Sequence, residues 1–252
     1  MQQILTAQTA DGTKVVGWLH RAGSDTLAVL VHGHNTAGTA SRYLTIAQWL
    51  EHHGIDCLRV SVTRPQLAEK MWRVTTVTEE IRQVEAISAP LKDKYKRLVF
   101  AGHSQGGIIA LKAAIDMQAA ALVQIMGVFR TKANAREKLK SLGINVPHLP
   151  RDETVPISVP NGATFVYGED FFEDIASYDV ARMLQHWHGP TLFIYGEQDT
   201  TILKTEVVAA CACANTPKKL VGVLAKHRFN EHSAMNIGKA LASWLAHEFP
   251  IE

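Results

Sequence analysis

Short apolar runs alternate with amphipathic segments along most of this 252-residue chain. The run from Leu27 to Val31 contains no polar residue, which is typical of a strand buried on both faces of a sheet. Segment 41–53 carries apolar residues every three or four positions and predicts an amphipathic helix that ends near Gly54. The alternation predicts an α/β fold in which helices cover both faces of a mostly parallel sheet. We expect strands at 15–20, 26–31, 57–62, 97–101, 121–127, 191–195 and 219–224, and helices at 41–53, 78–91, 108–117, 204–212 and 233–248.

The alternation stops between residues 129 and 185, where charged residues, prolines and loop residues become more frequent. Within this stretch, residues 132–140 have the pattern of a solvated helix. Four prolines break any longer element, namely Pro147, Pro150, Pro156 and Pro160. A segment of under about 60 residues with few large apolar positions is too small to fold alone. We therefore predict one domain over residues 1–252, with a cap inserted at about 129–185.

The composition and net charge of the chain limit the kinds of molecule that it is expected to bind. Apolar residues make up 46% of the chain, charged residues make up 20%, and the net charge is +2. So small a net charge does not favour nucleic acid or an acidic membrane, which leaves a small molecule as the expected partner. The N-terminus lacks the pattern of a signal peptide, and no apolar run approaches the ~20 residues of a membrane span, so we expect a cytoplasmic protein. Cys57, Cys211 and Cys213 are expected to be reduced thiols.

The motif Gly102-His103-Ser104-Gln105-Gly106 matches G-x-S-x-G directly after a predicted strand and before a predicted helix. In that setting the chain reverses sharply, and the two glycines leave room where a Cβ would crowd strand against helix. The turn presents the Ser104 hydroxyl as a candidate nucleophile and directs the Gln105 amide toward a developing oxyanion. Two alternatives are a glycine-rich turn with an ordinary serine and a phosphate-binding loop. No Lys-Ser or Lys-Thr pair follows the glycines, which disfavours the phosphate loop.

A serine nucleophile needs a base, and in this chain order an acid should precede that base. Asp199 follows the predicted strand 191–195, and His227 follows the predicted strand 219–224. Both residues therefore belong to the carboxyl edge of the sheet, where open α/β sheets bind their ligands. The alternative acid is Glu197, and the alternative base is His232, which stands where the last helix begins.

A second oxyanion donor should come from the loop after the strand that precedes the first helix. His32-Gly33-His34-Asn35 occupies that place, and Gly33 permits a close approach of the backbone. We predict the backbone amide of His34 as this donor. Read alone, His32-Gly33-His34 would be a weak metal motif, and a second H-x-H pair surrounds Trp187. The pair around Trp187 lacks further ligands, and beside Ser104 the first pair is better interpreted as an oxyanion loop, so no metal site is predicted.

Together these residues resemble the α/β-hydrolase superfamily over nearly the whole chain. Within it the sequence is similar to small bacterial feruloyl (cinnamoyl) esterases and related carboxylesterases, which share the Gly-His-Ser-Gln-Gly-Gly turn, a short insertion after the sixth strand and a similar length. The resemblance implies the α/β-hydrolase fold and hydrolysis of an ester through an acyl-enzyme, without a cofactor. It assigns catalytic roles to Ser104, Asp199 and His227, and oxyanion stabilisation to the amides of His34 and Gln105.

The chain departs from this family in two loops. The family commonly has a glycine-containing loop after the strand that is here 57–62, whereas this chain has Thr63-Arg64-Pro65-Gln66-Leu67. We expect that loop to follow a different path. The base loop also lacks the common glycine before the histidine. Among the aromatic residues of the predicted cap, Tyr167 and Phe171 are the first candidates to contact a substrate. The alternative is that these rings only hold the cap on the domain.

The resulting hypothesis is a serine carboxylesterase that hydrolyses a small-molecule ester, with an aromatic hydroxycinnamoyl ester as one candidate. A thioesterase, a lipase-like enzyme or a lactonase would need the same three catalytic residues, because a fold does not determine a substrate. A further alternative is a non-catalytic receptor that uses the same pocket to bind a ligand.

Overall fold

Extended strands and helices alternate along the chain, whose computed structural model describes residues 2–130, 136–137, 140, 145, 147–158 and 162–250. The helix predicted at 132–140 lies largely outside these residues. The described strands are β1 (Gln2–Gln8), β2 (Lys14–His20), β3 (Thr26–Val31), β4 (Asp56–Ser61), β5 (Gln66–Ala68), β6 (Met71–Arg73), β7 (Arg97–His103), β8 (Ala121–Ile125), β9 (Thr154–Ser158), β10 (Thr164–Gly168), β11 (Thr191–Gly196) and β12 (Lys218–Val223).

A central sheet contains eight of these strands in the order β1-β2-β4-β3-β7-β8-β11-β12. Strand β2 is antiparallel to both of its neighbours, and each remaining pair of neighbours is parallel. The predicted α/β class with a mostly parallel sheet is therefore confirmed. Strand β1 was not predicted, and its side chains are mostly exposed at the edge of the sheet.

Helices cover both faces of the central sheet. The described α-helices are α1 (Ser41–His52), α2 (Val77–Ser88), α3 (Gln105–Asp116), α4 (Glu169–Ser177), α5 (Val180–His186), α6 (Lys204–Cys213) and α7 (Glu231–Glu248). Of these, α4 packs against α2 and β10. Helices α1 and α7 pack together on one face, and α2 and α3 pack together on the other. The two faces follow from the alternation of side chains along β3, where Val29 and Val31 join one apolar cluster and Ala28 and Leu30 join the other.

A second, four-stranded sheet has the order β5-β6-β10-β9. Its parallel pair joins β6, which follows the loop at 63–67, to β10 from the predicted insertion. The loop at 63–67 leads into a short hairpin of β5 and β6 that was not predicted. The insertion continues into α4 and α5, so the second sheet combines strands from two distant parts of the chain. The division into one domain with a cap at 129–185 stays a prediction.

The cysteines are unpaired: Cys57 is buried, Cys211 is half-buried and Cys213 is exposed. Among the described residues, no helix combines the length and the apolar character that crossing a bilayer would require.

Candidate active site

Ser104 occupies a sharp turn between β7 and α3. Its backbone has φ 55° and ψ −122°, in the left-handed region that a residue with a side chain rarely adopts. The flanking glycines make the turn possible, because a Cβ on Gly102 would lie 2.0 Å from the Gly106 carbonyl oxygen. A Cβ on Gly106 would lie 2.5 Å from the carbonyl oxygen of His32. The helix begins at Gln105, three residues earlier than the sequence predicts, because the glycines form its first turn.

His227 lies between Ser104 and Asp199. Its Nε2 atom is 2.9 Å from the Ser104 Oγ, and its Nδ1 atom is 2.8 Å from the Asp199 Oδ2. A carboxylate only accepts hydrogen bonds, so Nδ1 carries the ring proton when the imidazole is neutral. The lone pair on Nε2 then faces the serine hydroxyl. The His227 side chain is 14% exposed and that of Asp199 is fully buried, which shields their interaction from water.

The second oxygen of Asp199 is held by the backbone. Its Oδ1 atom accepts hydrogen bonds of 2.7 Å from the Thr201 amide and 2.9 Å from the Ile202 amide. These contacts fix the orientation of the carboxylate toward the imidazole. The alternative acid and base suggested by the sequence, Glu197 and His232, are both exposed. The structure therefore brings Ser104, His227 and Asp199 together and leaves the two alternatives at the surface.

The loop with the predicted oxyanion donor lies directly against the turn at Ser104. A Cβ on Gly33 would lie 3.1 Å from both the Ser104 Cβ and the His103 Nδ1, so any larger residue would require these neighbours to shift. Within the described part of the chain, neither the backbone amide of His34 nor the backbone amide of Gln105 donates a hydrogen bond to another group. The first amides of a helix have no partner inside the helix, which explains the free Gln105 amide. Both amides remain candidate donors to an oxyanion.

The His34 side chain contacts the two cap aromatics that the sequence singled out. Its Nε2 atom is 2.7 Å from the Tyr167 hydroxyl, which also accepts a 2.9 Å hydrogen bond from the Asn35 amide group. Phe171 stacks on the His34 ring with 5.2 Å between the ring centroids. Tyr167 is 1% exposed and Phe171 is 2% exposed. Burial, reinforced by the positive charge of Arg64, lowers the pKa of His34 to about 3, so this ring is neutral at physiological pH.

A buried ion pair contacts the residue that follows Ser104, and sequence reasoning missed it. Arg64 donates to the Glu80 Oε1 at 2.8 Å and to the Thr36 carbonyl at 3.0 Å. Glu80 also accepts a 2.8 Å hydrogen bond from the side chain of Gln105. A signal was present, because Glu80 lies on the same face of α2 as the buried Val77 and Val84. A charged residue on the apolar face of a helix indicates a buried partner.

Comparison with solved structures finds similar proteins, whereas comparison of sequences finds none. No protein-family profile and no curated protein matches the sequence. Est1E from Butyrivibrio proteoclasticus with bound ferulic acid superposes with a TM-score of 0.77 at 18% identity, over 98% of this chain and 100% of that chain. The α/β hydrolase GrgF from Penicillium sp. sh18 gives a TM-score of 0.75 at 15% identity, with 100% of each chain covered. The chain has the α/β-hydrolase fold.

A third solved structure with this fold is the esterase domain of a Rhodothermus marinus protein. It gives a TM-score of 0.74 at 18% identity and covers 98% of both chains. The predicted α/β-hydrolase fold is confirmed over almost the full length of the chain. In this fold the carboxyl ends of the central strands form the edge at which Ser104, Asp199 and His227 meet.

Proposed function

We propose that this protein is a serine hydrolase that cleaves carboxylic esters through an acyl-enzyme. The observation that carries the proposal is the hydrogen-bonded series Ser104–His227–Asp199 at the turn between β7 and α3. A serine hydroxyl becomes a nucleophile when a neighbouring base accepts its proton, and this base is already within hydrogen-bonding distance.

The reaction follows from the positions of these groups. The Ser104 oxygen attacks the carbonyl carbon of the ester while its proton passes to the Nε2 of His227. Asp199 stabilises the imidazolium through the hydrogen bond from Nδ1 and remains ionised. The amides of His34 and Gln105 donate to the oxyanion. The imidazolium protonates the departing alcohol, and a water molecule activated by the same histidine then releases the acid from Ser104.

The substrate we propose is a small-molecule ester whose acyl group is aromatic. One support is the solved structure of Est1E, which has ferulic acid bound to it. Another is the aromatic cluster of Tyr167, Phe171 and Phe172, which the predicted cap contributes next to His34. The apolar ring of Phe171 and the hydroxyl-bearing ring of Tyr167 suit an acyl group that contains an aromatic ring with polar substituents. Tyr167 and Phe171 are the residues proposed to contact it.

The test combines turnover with covalent labelling. The wild-type protein should hydrolyse p-nitrophenyl acetate and react with a serine-directed phosphonate at one site per chain. Ser104→Ala removes one hydroxyl and should lower kcat by at least ~10³-fold without unfolding the chain. Peptide mass spectrometry of the labelled protein should place the phosphonate on Ser104. A wild-type protein that neither turns over esters nor reacts with phosphonate would support a ligand receptor instead.

A substrate panel separates the ester hydrolase from its close alternatives. It should contain methyl ferulate, short aliphatic esters, an acyl thioester and a lactone, each measured as kcat/KM. The proposal expects the highest value for an aryl ester. A thioester or lactone that exceeds every ester by more than tenfold would reassign the substrate class and leave the nucleophile unchanged.

A further inference from the structure

A buried series of three hydrogen bonds runs behind the candidate active site. The Gly33 amide donates to the Tyr43 hydroxyl oxygen at 3.1 Å. The Tyr43 hydroxyl lies 2.9 Å from the His103 Nδ1, and the His103 Nε2 lies 3.1 Å from the His227 carbonyl oxygen. The two side chains that form the series are buried, with Tyr43 1% exposed and His103 4% exposed.

The chemistry of these groups assigns the direction of every bond. A carbonyl oxygen only accepts hydrogen bonds, so the His103 Nε2 carries a proton and donates a hydrogen bond to the His227 carbonyl oxygen. The neutral His103 ring then has a lone pair on Nδ1, which accepts a hydrogen bond from the Tyr43 hydroxyl. The Tyr43 oxygen in turn accepts from Gly33. Burial, together with the neighbouring His227, holds the pKa of His103 well below its usual range, which keeps the ring in this neutral form.

The series connects three segments that carry residues of the proposed mechanism. Gly33 precedes His34, whose amide is the proposed oxyanion donor, and His103 precedes the nucleophile Ser104. The third member is the backbone of His227, the proposed base. These segments follow β3, end β7 and follow β12, and they are far apart in the sequence. The Tyr43 hydroxyl and the His103 ring therefore connect all three segments through hydrogen bonds.

We propose that Tyr43 and His103 are positioning residues that hold the oxyanion loop, the nucleophile and the base in register with one another. The inference rests on the proposed serine-hydrolase function. Both side chains are buried, and their polar atoms are hydrogen-bonded to other protein groups. Their effect is on geometry, and displacement of reacting groups by about 1 Å can lower a rate by roughly 100-fold.

Tyr43→Phe tests this with the smallest change available. It keeps the ring and removes the hydroxyl, which leaves the Gly33 amide and the His103 Nδ1 without their partner. We expect kcat for p-nitrophenyl acetate to fall about 10- to 100-fold while KM stays within about twofold, since no substrate contact is lost. The rate constant for phosphonylation of Ser104 should fall by a similar factor, with one label per chain still reached at long times.

Tyr95→Phe is the matched control. Tyr95 is also buried, at 9% exposure, and its hydroxyl donates a 2.7 Å hydrogen bond to Asp56 at the opposite, amino edge of the sheet. We expect both variants to lower Tm but only Tyr43→Phe to lower kcat. His103→Phe should also reduce kcat, and the double variant should lose no more than the worse single variant, because both changes break the same series.

Several results would overturn the inference. They are a Tyr43→Phe kcat within twofold of wild type, an equal loss of kcat in Tyr95→Phe, a rise in KM at unchanged kcat, and losses that multiply in the double variant. If the wild-type protein reacts with phosphonate at Ser104 in these cases, the proposed function stands and only this inference fails. A wild-type protein that is not labelled would overturn the proposed function and this inference with it.

Discussion

At the scale of single residues, His32 is held in one protonation state by its two hydrogen bonds. Its Nδ1 lies 2.9 Å from the Gly33 carbonyl oxygen, and its Nε2 accepts a 3.2 Å hydrogen bond from the Val62 amide. An added proton on Nε2 would point at the Val62 N–H and break that bond. Burial, with a contribution from the positive charge of Arg64, lowers the pKa of His32 to about 3.

This lowered pKa predicts acid sensitivity. An unfolded chain binds a proton at His32 below about pH 6.5, whereas the folded chain does so only near pH 3, so the free energy of unfolding should fall as the pH falls between these values. For one such histidine the loss between pH 7 and pH 5 is about 2 kcal/mol. His32→Gln should reduce the pH dependence by that amount in urea unfolding at the two pH values.

The control for this measurement is His52→Gln, which removes an exposed histidine from the last turn of α1. That variant should keep the wild-type difference between pH 7 and pH 5. If His32→Gln also keeps it, then protonation of His32 does not contribute to acid destabilisation.

At the scale of elements, β10 and α4 carry the cap aromatics to the His34 side chain. Tyr167→Ala or Phe171→Ala should change the ratio of kcat/KM between methyl ferulate and a short aliphatic ester. A pocket wall contributes roughly 10- to 200-fold to such discrimination. Phe172→Ala is the control, because Phe172 follows Phe171 on α4, is also buried and stacks on Tyr167 with 5.9 Å between the ring centroids. Equal losses on both esters in all three variants, with a lower Tm, would show that the rings only anchor the cap.

Burial separates several of the strands that the sequence predicted from several that it missed, although β10 is largely buried and was also missed. Strands β3 and β8 are buried at every position, so a continuous apolar run identifies them. Strand β5 is exposed throughout and β9 is half-exposed, so neither has an apolar signature. Strand β6 pairs with β10 more than 90 residues later, from Met71 to Thr164. No local pattern encodes a partner at that distance, because the pairing is stabilised by contacts that exist only in the folded chain.

At the scale of the whole molecule, the two sheets share one apolar cluster. Phe165, Tyr167 and Phe171 belong to the same buried cluster as Val74 and Val77, at the start of α2. Because the apolar residues of the second sheet pack into this shared cluster, we expect it to unfold together with the central sheet. Native-state hydrogen exchange should give the amides of β10 the same free energy of opening as those of β3, within about 1 kcal/mol. A value several kcal/mol lower for β10 would mean that the second sheet opens independently.

The sequence by itself determined the α/β class, the sharp turn at Ser104 and the placement of Asp199 and His227 at the ends of strands. These features depend on local patterns, and parallel strands bring their carboxyl ends to one edge. Only the tertiary structure decided that His227, and not His232, reaches the serine, and that Asp199, and not Glu197, reaches His227. It alone also revealed the Arg64–Glu80 pair, the contacts of Tyr43 with Gly33 and His103, and the second sheet. Each depends on hydrogen bonds between segments far apart in the chain, whose distances and burial arise only when the core packs.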